Sequence, residues 1–201
     1  MESMEIAKRL QAQFPDEVLD AYEHQGQTAV IVSGEKIVDI LRWLRDDVDL
    51  DFKHLMSLCA VDNIKRMEDK LLRFEVVYNL YSINKKHTIR IRAQVPEADH
   101  SIDTVTTLWT GADWLERECY DLMGITFIGH PDMRRILLPD DWEGHPLRKE
   151  YPLKGKEEWS GLTKLIEKVE ELRQYSFGYK KPEESTKSSE GSELTDKQGN
   201  D

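Results

Sequence analysis

The chain has 201 residues, enough for one good hydrophobic core or for one domain with an extension. A net charge of −11 and a pI near 5.1 exclude the basic face that nucleic-acid binders need and a polybasic grip on anionic lipid. Two cysteines, Cys59 and Cys119, with no C-x-x-C, fit a reducing compartment and fall short of the four thiolates of a self-contained iron–sulfur cluster.

No apolar run approaches the ~18 residues that span a bilayer. The opening MESMEIAKRLQAQF contains acids and lacks a long apolar stretch, so neither a signal peptide nor a transit peptide is expected.

In chain order, Met4, Ala7, Leu10 and Phe14 recur at helical spacing and predict a short amphipathic helix over 3–14. Thr28 to Val32 is β-branched and short, hence a strand. Ser33-Gly34-Glu35 can cap a helix, along which Ile37, Val38, Ile40, Leu41 and Leu44 make one apolar stripe. Phe52, Leu55, Met56 and Cys59 suggest a brief helix running into a strand near Leu58 to Val61.

Two strands with period-two alternation follow. Leu72, Phe74, Val76, Tyr78 and Leu80 point one way, with Arg73, Glu75 and Asn79 opposite. Ile89, Ile91, Ala93 and Val95 then alternate with Thr88, Arg90, Arg92 and Gln94. The connector Ser82 to Lys86 is short and polar, so this is an antiparallel hairpin with one buried and one wet face. Helices interspersed with such strands give an α+β class: a two-layer domain, its mostly antiparallel sheet covered by helices, followed by an irregular extended segment and a C-terminal helix.

Residues 109–123 predict a helix with Thr110 and Asp113 as a capping box and Gly124 at C′. Its stripe is Leu115, Cys119 and Leu122, with Trp114 beside it, and Asp113–Arg117 and Arg117–Asp121 are i,i+4 pairs. Residues 124–153 are dense in Gly, Pro, Asp, Arg and His without a regular period, and so long an irregular segment in a compact domain implies binding. Four cations there (Arg134, Arg135, Arg148, Lys149) face five carboxylates, which suits a surface set against a polar partner.

Beyond it, Leu162, Leu165, Ile166, Val169 and Leu172 predict a second amphipathic helix over 157–173 whose apolar face docks on another subunit. Tyr175, Phe177 and Tyr179 alternate in an extended arm. From Pro182 the chain is acidic and almost free of apolar residues, a composition of disorder. The expected organisation is a core domain over 1–123, a partner-binding segment over 124–153, a helix and arm over 154–181, and a disordered acidic tail over 182–201.

His130 and His145, both in a Gly-His-Pro frame, lack any H-x-x-x-H or H-E-x-x-H spacing and read as side chains pinned in hydrogen-bonded turns before they read as metal ligands. Glu116 and Glu118 are i,i+2 on a helix, point to different faces, and do not form an acid/base pair. Cys119 lies on the apolar stripe beside acids, the wrong field for a reactive thiolate. No nucleophile elbow, Walker loop or G-x-G-x-x-G is present. Arg134-Arg135 and Arg148-Lys149, set among Trp142 and four prolines, are residue types that anchor protein interfaces.

The run ERECYDLMGI over 116–125, then Phe127 and GHPDMRRIL over 129–137, and PDDWEGHPLRKEYPL over 139–153, closely resembles the signature of the thirty-kilodalton subunit, or C subunit, of respiratory complex I. Arg73 to Tyr78 is similar to the family's central strand. The resemblance covers roughly residues 28–153.

What the resemblance implies is a non-catalytic structural subunit of the peripheral arm of the proton-translocating NADH:quinone oxidoreductase. It would sit peripherally on the cytoplasmic side of a bacterial inner membrane, against the cluster-bearing B subunit and the quinone-facing D subunit. FMN, iron–sulfur clusters and quinone belong to the parent complex, and this chain would bind none of them. The absence of a D-type sequence after Leu153 implies an unfused C subunit. The interface would draw on Glu116, Arg117, Glu118 and Asp121 of the helix and on His130, Arg134, Arg135, Trp142, His145, Arg148 and Lys149 after it. The alternative is the equivalent subunit of a related membrane-bound hydrogenase or ferredoxin-type complex, which this stretch does not separate from complex I. A remoter alternative is a stand-alone metallo-enzyme using His130 and His145.

Overall fold

The clearest period-two signal in the chain forms the middle of its sheet. The structure is a computed structural model that describes residues 2–64, 71–153 and 161–173. Helix α1 (Ser3–Gln13) leads into strands β1 (Val18–His24) and β2 (Gln27–Ser33). Helix α2 (Ile37–Asp46) precedes three long strands, β3 (His54–Asp62), β4 (Phe74–Ser82) and β5 (His87–Val95). Then come β6 (Ser101–Asp103), α3 (Ala112–Met123), β7 (Thr126–Ile128) and, in the second unit, α4 (Leu162–Arg173). Contacts divide the chain into Met1–Glu157 and Glu158–Asp201.

Among the described residues the main sheet has the order β1-β2-β5-β4-β3, antiparallel except where β2 lies parallel to β5. Its register puts Tyr78 opposite Ile91, and Ile91 opposite Val30, so Phe74, Val76, Tyr78 and Leu80 share a face with Ile89, Ile91, Ala93, Val30 and Val32. The helices cover that face. Ile6 and Leu10 of α1, Ile37, Ile40, Leu41 and Leu44 of α2, and Cys119 and Met123 of α3 join the same buried cluster. The expected two-layer α+β architecture is the one observed.

The opposite face departs from the expected wet one. Glu75 is fully buried there, chelated by Arg92 (Nε–Oε2 2.8 Å, Nη2–Oε1 2.9 Å) and joined by the Gln94 amide at 2.7 Å. Arg92 continues to the Tyr22 hydroxyl at 2.5 Å, and Arg90 donates to Asn79 at 2.9 Å. Long cross-strand side chains pair with one another, so they shield each other from water without a covering helix.

Three other expectations need correction. Phe52 to Cys59 is not helical: β3 runs from His54, pairing His54 with Tyr81 and Leu55 with Leu80, and an irregularity between Leu55 and Ser57 breaks its period-two alternation and leaves a helix-like spacing. Leu72 lies outside β4 and is half-exposed, its N–H held by the Gln94 side chain at 2.6 Å. Ser33 caps a single 3-10 turn (Gly34–Lys36) that hands over to α2. Strand β1 and the short parallel pair β6–β7 have no counterpart in the sequence reading.

In the second unit, α4 begins at Leu162, and Leu162, Leu165, Ile166, Val169 and Leu172 are partly exposed. The expected arm at 174–181 and tail at 182–201 lie outside the described residues.

Candidate functional site

Helix α3 forms where Ala112, Leu115, Glu116, Cys119 and Met123 recur at helical spacing against β3 and the sheet. Its start differs from expectation. Gly111 occupies the N-cap and no side chain caps it, so the Thr110/Asp113 box does not form. Its end is as expected: Gly124 takes φ +72°, the left-handed turn that glycine adopts without strain. A Cβ at Gly124 would also meet Arg148 Nη2 at 2.5 Å and His145 Nε2 at 2.6 Å.

That close approach exists because the segment after β7 wraps the C-terminal end of α3. The last four carbonyls of a helix have no partner within it. Here Tyr120 O accepts from Gly124 N–H at 2.9 Å and Asp121 O from His145 Nδ1 at 2.9 Å. Leu122 O accepts from Leu147 N–H at 3.0 Å and Met123 O from Arg148 Nε at 2.8 Å. Two guanidiniums, Arg148 and Arg135, thus sit at the negative end of the helix dipole.

Asp121 ties the wrap down. Its carboxylate is fully buried. Oδ2 accepts the successive N–H groups of Ile136, Leu137 and Leu138 at 3.0, 2.7 and 2.9 Å, and Oδ1 pairs with Arg135 Nη1 at 2.7 Å. Burial pushes the Asp121 carboxyl up. The N–H groups of Leu138 and Leu137, Arg135 and the N–H of Ile136 together outweigh it and hold the group below the usual carboxylate range. Asp62 repeats the device at the end of β3. It accepts from Arg73 Nε at 3.2 Å and from Lys149 N–H at 2.9 Å, which fastens the far end of the wrap to the sheet. Arg73 also reaches Glu97 and Glu150.

Five residues before Asp121, Glu116 is also fully buried. Oε1 accepts Val105 N–H at 2.7 Å and Oε2 meets Thr104 Oγ1 at 2.5 Å. Here burial dominates those two donors, and the nearby Asp113 adds to it, so the carboxyl is pushed up to about 7. Cys119, one turn further on and buried, is pushed far up for the same first reason.

The two Gly-His-Pro turns are pinned in different ways. His130 Nδ1 accepts Asp132 N–H at 3.0 Å, which leaves the ring proton on Nε2, facing Asp113 O at 3.3 Å. His145 donates from Nδ1 to Asp121 O, and burial lowers its pKa, so it is a neutral ring of the other tautomer. Their backbone partners lie eight residues apart on α3, about 12 Å along the axis, so the two rings do not converge on one ion.

The predicted site residues therefore separate into two groups. Glu116 and Asp121 face inward and have no exposed surface to offer. Arg135 turns inward too, and its Nη2 also holds Trp142 O at 3.1 Å. Arg117 does not pair with Asp113 or Asp121 as expected. It donates to the carbonyls of Arg134 at 3.0 Å and Arg135 at 3.4 Å and lies over the Trp114 ring. Arg134 stays outside, 75% exposed and chelated by Asp132 at 2.7 and 2.6 Å. Glu118 and Lys149 are exposed, and Trp142 is half-buried, its Nε1 without a hydrogen-bond partner among the described residues. Asp62, Arg73, Thr104 and exposed Trp114 escape the sequence reading of the site. Only Trp114 carries a local signal, as a large aromatic next to the apolar stripe.

Comparison with known proteins adds to this geometry. Residues 30–157 match the model of a family described as respiratory-chain NADH dehydrogenase, 30 kDa subunit. The chain is 51% identical over 147 residues to the C subunit of NADH-quinone oxidoreductase from Geobacter sulfurreducens, covering 73% of this chain and 88% of the relative. It is 47% identical over 152 residues to the protein of that name from Roseiflexus castenholzii, covering 76% and 85%. A solved trypsin-resistant fragment of Nqo5 superposes with a TM-score of 0.58 at 29% identity, covering 66% of this chain and 99% of the fragment. A chain of the membrane-bound sulfane sulfur reductase, an archaeal respiratory membrane complex, shares the fold at 22% identity and a TM-score of 0.61, covering 85% and 92%. The wrapped helix and strands β3, β4 and β5 lie inside the matched region, and the chain belongs to the family of the respiratory-chain NADH dehydrogenase 30 kDa subunit.

Proposed function

We propose that this chain is a non-catalytic subunit of the peripheral arm of a proton-translocating NADH:quinone oxidoreductase. It positions the cluster-bearing B subunit and the quinone-facing D subunit on the cytoplasmic side of a bacterial inner membrane. The observation that carries this reading is the saturation of the wrap. The buried carboxylates and both turn histidines already make hydrogen bonds within the chain, which makes 124–153 a rigid shaped surface. Relatives near half identity that bear the quinone-oxidoreductase name support this complex over a hydrogenase or a ferredoxin-type complex.

FMN, iron–sulfur clusters and quinone act elsewhere in such a complex. The donor set here does not fit a cluster, which takes four thiolates: the chain has two cysteines, Cys59 exposed and Cys119 buried, and burial pushes the Cys119 thiol far up. No helix among the described residues is long and apolar enough to cross a membrane, so attachment to the bilayer would run through partner subunits.

Affinity isolation of the tagged chain from gently solubilised membranes should recover the B and D subunits together with NADH:quinone activity. Recovery as a lone monomer would end the proposal. Nickel-ligating cysteines in the neighbouring large-subunit gene would move the assignment to a hydrogenase.

A further inference from the structure

Helix α3 also carries an exposed aromatic beside the wrap. Trp114 is 64% exposed, yet it is not loose. The Arg117 guanidinium carbon lies 5.2 Å from its ring centroid, and that same guanidinium is fixed by the carbonyls of Arg134 and Arg135. A cation held on one ring face leaves the other face and the edge open on a stiff support. Little side-chain freedom then remains to be lost on binding.

Asp121 holds the backbone N–H of Leu137, two residues past the Arg135 carbonyl that Arg117 engages, and the Leu137 side chain is 59% exposed. The two arginines beside these residues are already engaged. Arg134 is chelated by Asp132, and Arg117 is engaged by carbonyls and the indole. Glu118, exposed, remains at the edge. Buried aromatics with a polar rim are the anatomy of an interface centre. A net charge of −11, with both arginines of the patch already engaged, leaves an anionic lipid surface nothing to attract.

We propose that Trp114, braced by Arg117 and extended by Leu137, is the anchor by which this chain grips a neighbouring protein subunit that presents an uncharged apolar surface. The anchor rests on the subunit reading above and names the surface that reading requires.

The test uses the full chain produced in its own host and followed into the assembled complex by native gel and affinity isolation. Trp114→Ala should lower retention in the complex by about thirty-fold, as for a hot-spot residue. The melting temperature of the purified chain should hardly move. Trp114→Phe, which keeps an aromatic anchor, should restore most of the assembly. Val48→Ala, which removes an apolar side chain 83% exposed elsewhere, should assemble like wild type. Normal assembly of Trp114→Ala overturns the anchor, as does a loss matched by an equal loss of thermal stability. A wild-type homodimer that Trp114→Ala dissolves also overturns it, as does a shift of the chain's tryptophan fluorescence, absent in Trp114→Ala, on vesicles of zwitterionic lipid with one-third anionic lipid. A wild-type chain isolated alone overturns the subunit reading and the anchor together, whereas wild type in the complex beside equally retained Trp114→Ala removes only the anchor.

Discussion

The middle of α3 and its C-terminal end each bury a carboxylate completely, and the two move in opposite directions. Glu116 meets one hydroxyl and one N–H, and its pKa is pushed up to about 7. Asp121 meets three N–H groups and a guanidinium, and its pKa falls. Burial is the largest single influence on both, and it raises both. What separates them is the number and charge of the donors aimed at the ionised form. The C-terminal end therefore holds a permanent charge as a structural tie, while the middle of the helix holds a carboxyl that can stay protonated near neutral pH.

The largest effect expected from breaking this contrast is at Asp121. Asp121→Ala leaves Arg135 buried without its partner and frees three N–H groups, so chemical denaturation should show a loss of about 3–5 kcal/mol. Hydrogen exchange at residues 136–138 should accelerate along with it. Loss at Asp121 alone, with exchange at 136–138 unchanged, would mean that the carboxylate does not organise the wrap.

Next in size is the pH dependence at Glu116. Its folded pKa is raised from 4.5 to about 7, so between those values the folded chain holds a proton that the unfolded chain has released. Its share of stability is full below pH 4.5 and falls as pH rises through about 7, by about 3 kcal/mol in total. Asp121 has the reverse sign: its lowered pKa gives stability that is present above the unfolded value and lost on acidification. Glu116→Gln, which keeps an acceptor for Val105 and a donor for Thr104, should flatten the decline between pH 5 and 8 and leave the acid limb intact. A wild-type curve with no decline over that range would place Glu116 outside this account.

A smaller loss follows from Gly124→Ala. The left-handed φ alone costs about 1–2 kcal/mol for an L side chain, and the new methyl would displace Arg148 and His145 from the helix end. Melting curves and the pH response of His145, read by NMR, should change together. An unchanged His145 signal would show that the wrap tolerates the intrusion.

Legibility in the sequence follows the range of each interaction. The β4–β5 hairpin, the α2 stripe and the Gly124 cap rest on neighbours within a few residues, and local period and turn chemistry reveal them. The β3 strand is masked because Phe52, Leu55, Met56 and Cys59 imitate a helical spacing through the irregularity at Leu55/Ser57. Glu116 reads as a surface residue because a glutamate on a helix belongs there by default. Its donors sit at 104 and 105, in a turn that no pattern announces. Asp121 draws on 135–138 and Asp62 on Lys149, separations over which composition carries no information. Arg135 and Arg148 have the composition of interface anchors because arginines at a helix C-terminus and arginines at an interface are the same residue type used for the same carbonyl and carboxylate geometry.

The sheet's one parallel seam has a consequence for how the chain folds. Strands β1 and β2 are joined by a two-residue turn at Gln25-Gly26, and β3, β4 and β5 form a meander of successive antiparallel neighbours. Each set closes through short loops or moderate ones. The two sets pair along β2 and β5, from Ala29–Arg90 to Ser33–Gln94, across about sixty residues of chain, and long-range pairing of that kind is slow because loop entropy is lost before contacts reward it. Substitutions such as Val30→Ala or Ile91→Val along the seam should therefore act mainly on the folding rate. Newly made chain would hold two partly built halves until β5 emerges to join them.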